Sequence, residues 1–134
     1  KRKYHGGVRQ THYNMYLTAM KLRPFWGATV VDGWEGMEGN GPSSGTPVPS
    51  RVAVASTDYI AADRVGVELM GIDPTWIGYL NYCHQSAVGQ YDLNKIDVDG
   101  PSLPAVARKY RLHKDIEREL DWMGPLRDLP PKLG

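Results

Sequence analysis

The amino-acid sequence predicts a mixed α/β fold: a small mixed three-stranded sheet flanked by helices, forming part of a larger α/β domain. Three observations carry this expectation. Apolar residues recur at three- and four-residue spacing in several stretches, as on the buried face of a helix. Short β-branched or apolar runs at residues 28–32, 51–56 and 95–98 end in chain-reversal signals. Helical and strand patterns also alternate along the chain instead of falling into separate blocks.

Residues 1–8 are basic and contain Gly6-Gly7, which predicts extended chain or loop. Residues 9–22 read as a helix with Tyr13, Tyr16, Leu17 and Met20 on one face. Arg23-Pro24 ends it, because the residue before proline avoids the helical region. Residues 28–32 form the first strand, and an irregular connection follows to Pro49. Residues 51–56, RVAVAS, are a second strand whose unbroken apolar centre predicts cover on both faces. Thr57 or Asp58 caps a helix that runs to about Met70 and is stopped by Gly71. Asp73 as N-cap and Pro74 at the first helical position open another. Its stripe is Trp76, Leu80, Cys83 and Ala87, and Gly89 closes it. Residues 95–98 give the third strand, ending at Asp99-Gly100-Pro101. Residues 104–122 read as largely helical, with Val106, Tyr110, Ile116 and Leu120 as contacts and a break near Arg111. Residues 1–123 are thus expected to be one domain, and residues 124–134, with Pro125, Pro130 and Pro131, an irregular tail.

At 134 residues the chain has room for one domain with a core. It carries 16 basic and 15 acidic residues, and no stretch concentrates Lys and Arg with aromatics, which argues against nucleic-acid binding. No apolar run approaches the roughly 20 residues of a membrane span. Composition leaves the compartment open between cytoplasmic and exported. Cys83 is the single cysteine, so neither a disulfide framework nor an iron–sulfur cluster can be ligated within this chain. It reads as a small core residue of a helix. The opening KRKYHGG does not resemble a signal peptide, and so abrupt a start is what an excised or truncated piece would show.

The connection from residue 30 to 49, VVDGWEGMEGNGPSSGTPVP, concentrates the unusual chemistry. Its glycines permit close backbone approach and its prolines fix φ, which predicts a shaped loop. Connections longer than about 12–15 residues are usually functional or disordered, and Trp34 and Met37 argue against disorder. Asp32, Glu35 and Glu38 add acid groups. Asp63 falls on the apolar face of its helix, where a carboxylate needs a hydrogen bond, a paired charge or a metal. The bland expectation is an arginine or loop amides as its partner. Asp58 is a helix cap or a strand-end ligand, and Asp32 a turn former or a strand-end ligand. Arg64 and Glu68 pair on another face. His5 and His12 could add imidazole to the carboxylates around a divalent metal, although no named metal motif is matched. A phosphate cradle ranks lower. No Gly-Lys-Ser/Thr is present, no helix follows the glycines, and Glu35 and Glu38 would repel an anion.

The run from Asp32 to Pro47, DGWEGMEGNGPSSGTP, resembles the signature loop of domain-of-unknown-function family 362. Tyr4-His5-Gly6-Gly7 ahead of Asn14 is similar to the family's upstream motif, and residues 55–64, ASTDYIAADR, to its second. Residues 69–73, 77–80 and 89–93 continue the likeness, which spans about residues 1–100. The resemblance implies the C-terminal half of a larger family domain. The partner would then be the missing upstream half or a self-associated copy of this chain. Some members are linked to ferredoxin-type iron–sulfur modules or carry a twin-arginine export signal; this sequence shows neither.

Two functions follow as expectations. The first is a small-molecule or divalent-metal site in an α/β domain of a redox-linked enzyme. Its ligand-binding residues would be Asp32, Gly33, Glu35, Met37, Glu38, Gly39, Asn40, Gly41, Pro42 and Gly45, with His5 and Asn14 from the N-terminal segment. Asp32, Glu38, Asp58 and Asp63 would hold the cation, or one of the carboxylates would act as a general base. The second is a structural or protein-interaction module whose Gly/Pro-rich loop is packed and catalyses nothing.

Overall fold

Helix α1 spans Val8–Leu22 and turns His12 and Ala19 inward. Tyr13 and Tyr16 pack against Tyr82, so the tyrosine stripe seen in the sequence is an interhelical contact. Arg23-Pro24 ends the helix through a 3-10 turn at Arg23–Phe25. These features come from a computed structural model, which describes residues 4–123. The Pro-rich tail expected over residues 124–134 lies outside the described residues.

Strand β1 (Thr29–Gly33) runs antiparallel to β4 (Val52–Ser56), with Val31 opposite Val54. Between them lie β2 (Gly36–Asn40) and β3 (Ser44–Val48), also antiparallel, with Glu38 opposite Thr46. The connection expected to be irregular is therefore largely a β-hairpin. The two pairs are nearly one ribbon, for the Arg51 N–H donates to the Trp34 carbonyl at 3.0 Å. What separates them is a mismatch in length: residues 49–51 face only residues 34–35, the count of a β-bulge. Arg51 takes a left-handed φ of 55°, as the residue that absorbs such an excess commonly does.

Asp58 caps helix α2 (Tyr59–Leu69), and Gly71 follows its end at φ 63°, where glycine avoids the Cβ penalty. Asp73 and Pro74 open a 3-10 turn at Pro74–Trp76 and then α3, Gly78–Gln85. The core gathers Ala19 of α1, Ile60 and Val67 of α2, Leu80 and Cys83 of α3, and Val88. α2 covers one face of the β1–β4 pair.

Five expectations are corrected. Among the described residues the sheet is not three-stranded or mixed: they form two antiparallel pairs, β1–β4 and β2–β3. Residues 95–98 form no strand; the Asp92 carboxylate caps a 3-10 turn at Leu93–Lys95, and beyond it no neighbouring strand offers pairing. RVAVAS is covered on one face only. Val52 and Val54 are half-buried against α2, whereas Ala53, Ala55 and the neighbouring Val30, 71% exposed, look outward. Residues 104–122 break near Arg111, as expected, but are not largely helical. Helix α4 is the single turn Leu103–Val106, and a 3-10 segment follows at Ile116–Met123. The chain between them gives its backbone to other elements, with Arg108 N–H bonded to the Leu69 carbonyl and Tyr110 N–H to that of Met70. The result is a belt from the end of α2, across the β2–β3 hairpin, to α1. The predicted α3 stripe also stops early: the helix ends at Gln85, and Ala87 lies beyond it at φ 53°.

Candidate functional site

The hairpin is fastened to the belt through Glu38, Gly39, Asn40 and Thr46. Glu38 accepts the backbone N–H of Arg111 at 2.8 Å and lies 3.6 Å from its guanidinium. The Gly39 N–H donates to the Arg111 carbonyl at 2.8 Å. Arg111 donates through Nη2 to Thr46 Oγ1 at 2.7 Å, and the Asn40 side chain accepts Lys114 N–H at 3.0 Å. Beside them the hydroxyls of Ser50 and Tyr110 meet.

The glycines make room for these contacts. A side chain at Gly36 would collide with the end of the Tyr110 ring, and one at Gly45 with the Met37 side chain folded over it. A Cβ at Gly41 would come within 2.8 Å of Met37 Sδ. Gly39 combines φ 74° with the Arg111 guanidinium overhead. Hairpin chemistry thus points to packing and not to an anion cradle, whose amides must stay free.

Two acids of the stretch remain outward. Asp32 is exposed, accepting only the Trp34 N–H two residues on, at 3.0 Å. Glu35 is exposed and forms no hydrogen bond or ion pair among the described residues. Trp34, 67% exposed, has the Arg51 guanidinium 5.9 Å from its ring centre.

Asp58 is engaged by backbone amides on both oxygens. Its Oδ1 accepts the N–H groups of Ile60 and Ala61, and its Oδ2 accepts that of Gln90 at 2.7 Å. Gly89 presses against this corner at φ 72°, and a Cβ there would lie 2.6 Å from the carboxylate. Asp58 therefore joins the start of α2 to the chain after α3.

Asp63 is half-buried, as its helical face indicated, but its partner is neither arginine nor an amide. The Tyr79 hydroxyl donates to Oδ2 at 2.7 Å. Burial raises the Asp63 pKa above the usual carboxylate value, and the Tyr79 hydrogen bond partly opposes that. Tyr79 is itself held well above an ordinary tyrosine, first by burial and then by the Asp63 charge. Burial, with the charges of Asp63 and Asp58, pushes the Cys83 thiol up to about 11. It is fully buried and stays protonated, as a core residue and not a nucleophile. Arg64 and Glu68 pair at 3.0 Å, as their spacing predicts.

His12 is buried, with Nδ1 accepting the Tyr79 backbone N–H at 3.3 Å. That places its proton on Nε2, which faces the Glu119 carboxylate at 3.1 Å. Asn14 accepts from Gln10 and donates to the Tyr4 carbonyl; His5 is exposed with its ring edge on Tyr4. No hydrogen bond joins His5, His12 or Asn14 to the hairpin.

The four proposed cation ligands are thus apart in their partners: Asp32 faces outward, Glu38 binds Arg111, Asp58 caps α2 and Asp63 binds Tyr79. Among the described residues no group of three or more His, Cys, Asp or Glu side chains can hold a metal ion. The sequence reading named Tyr110 as a contact but missed Tyr79, Arg111 and Glu119 as partners of the site residues. For Tyr79 a signal existed, since it stands four residues before Cys83 on the same helical face. Arg111 and Glu119 are joined to their partners across long stretches of chain and leave no local pattern.

No helix among the described residues is long and apolar enough to cross a membrane. No curated protein and no solved structure matches the chain. A family match does exist, and it takes in α1, the whole β1–β4 ribbon and most of α2; the likeness noted beyond residue 68 lies outside it. Residues 1–68, just over half of the 134, match the domain of unknown function DUF362, and the chain belongs to that family.

Proposed function

We propose that this chain is a structural and protein-interaction module whose signature hairpin is a latch and not a catalytic loop. One observation carries this reading: Glu38, the Gly39 amide, Asn40 and Thr46 are all bonded to Arg111 or Lys114 of the belt. A ligand competing for those groups would first have to open the latch. The glycines support the same reading, being sized for Tyr110, Arg111 and Met37.

The other reading is a small-molecule or divalent-metal site in a redox-linked enzyme. It draws its support from Asp32 and Glu35, the outward acids beside Trp34. Two carboxylates are a thin ligand set for Ca²⁺, which takes about six to eight oxygens, and are enough for Mg²⁺ only together with water or substrate oxygens.

A double-mutant cycle separates the two. Glu38→Ala and Arg111→Ala should each lower unfolding free energy by about 1–2 kcal/mol and the pair by less than their sum. Calorimetric titration of the parent with Mg²⁺, Mn²⁺ and Zn²⁺ should give no saturable heat. Stoichiometric binding of one of these ions, abolished by Asp32→Ala without loss of stability, would overturn the module reading.

A further inference from the structure

The two-stranded β1–β4 sheet ends at β4, which hydrogen-bonds β1 on one side and, among the described residues, no strand on the other. Along that free edge lies a cavity of about 440 Å³, lined by residues 51–56 on one side and 96–101 on another. At roughly 30 Å³ of liquid volume per water, it far exceeds a packing void. Ala62, Val65 and Leu69 of α2 give it an apolar wall.

The opposite wall has the sequence of a strand without the pairing of one. Ile96, Asp97 and Val98 alternate apolar and polar, and Ile96 has extended φ/ψ of −99° and 115°. Among the described residues no backbone hydrogen bond is made by residues 97–100. Two unpaired backbone edges therefore face one slot, and a single inserted strand could pair with both. Asp97 and Asp99 line the slot, are exposed, and have no ion-pair or hydrogen-bond partner among the described residues. Two residues apart on extended chain, they fall on one face.

We infer that this slot binds an extended strand of a second protein in which Lys or Arg alternates with β-branched residues. The inference rests on the module reading above and names its partner's chemistry. The occupant adds to the edge of β4 through main-chain hydrogen bonds, as in β-augmentation. Its basic side chains sit across from Asp97 and Asp99, and its apolar ones meet the α2 wall. The slot's charged lining is two carboxylates against one guanidinium, Arg51, a balance that favours this occupant over an acidic strand.

The test uses fluorescein-labelled six-residue peptides and the full chain, read by anisotropy. An alternating Lys-Val peptide should bind saturably, and an alternating Glu-Val peptide should not. Asn at both Asp97 and Asp99 should weaken binding about tenfold, the scale of two partly exposed cross-strand charge pairs. N-methylation of alternate peptide nitrogens should abolish binding while leaving the charges in place. Equal binding of both peptides, indifference to N-methylation, or an unchanged affinity of the D97N/D99N protein would overturn the inference. So would a concentration-dependent dimer by light scattering that excludes the peptide, because the slot would then hold a second copy. No peptide binding together with blank metal titrations would sink this inference and leave the module reading. No peptide binding together with an Asp32-dependent metal would sink both.

Discussion

Asp63 shows what a carboxylate costs when it is placed inside a fold with one neutral partner. Burial raises its pKa, and the Tyr79 hydroxyl recovers only part of the lost hydration. A carboxyl whose folded pKa exceeds its unfolded value contributes stability that is complete below the unfolded value. That contribution is lost as pH rises through the folded value. Asp63→Asn keeps an oxygen to accept from Tyr79 and removes the charge. The variant is therefore expected to gain stability relative to the parent between pH 4 and pH 7. Urea unfolding of both proteins at the two values checks this. A parent that instead gains on the variant over that interval would mean that the Tyr79 hydrogen bond or a bound cation, not burial, dominates at Asp63. Asp58 has three backbone donors instead, which make it a corner brace.

At the scale of elements, the hairpin and the belt exist through each other. Strand propensity is poor in a run such as Gly36 to Asn40, and no local signal in it outweighs the glycines. Its pairing is supplied by β3, and its position by Tyr110 and Arg111. Gly36→Ala tests that dependence, because the new methyl group would meet the Tyr110 ring end where Ser50 already holds it. It should cost about 1–3 kcal/mol, as overpacking does, and speed hydrogen exchange at the Gly39 amide. Gly27→Ala is the control: it has open space around it and an ordinary φ, and should change stability by less than about 0.5 kcal/mol. Equal losses at the two positions in thermal unfolding would mean that Tyr110 does not pack on the hairpin. The same logic explains why Gly/Pro content alone predicted a loop here: it describes a chain in isolation, whereas the partner strand and belt decide the outcome.

Over the whole molecule, legibility divides by sequence distance. Asp58, Gly71 and Asp73-Pro74 act on their own neighbours, and each was readable as a cap or a stop. The acids and glycines of the candidate site were visible as residues, but not their partners. Arg111 lies 73 residues from Glu38, and Glu119 lies 107 from His12. The unpaired 96–98 segment was misread for the opposite reason: its pattern is that of a strand, and pairing is what the described residues do not supply. Gly78 is where the distant parts converge. It starts α3, and a Cβ there would fall 2.7–2.8 Å from the Trp122 side chain and the His12 ring. Trp122 is fixed in turn by its Nε1–H on the Thr75 carbonyl, and its own carbonyl accepts the Tyr82 hydroxyl. None of these groups is the flexible end of a long side chain, so Gly78→Ala must displace the belt's last segment or separate α1 from α3. The expected cost is about 2 kcal/mol, with loss of the near-ultraviolet circular dichroism that a fixed tryptophan gives. Trp122→Ala should make the His12 ring accessible without moving α3. If Gly78→Ala keeps both its stability and its aromatic signal, α1, α3 and the belt do not meet at this glycine. The belt's last segment would then be held by the Glu119–His12 and Trp122–Thr75 contacts and not by packing at this glycine.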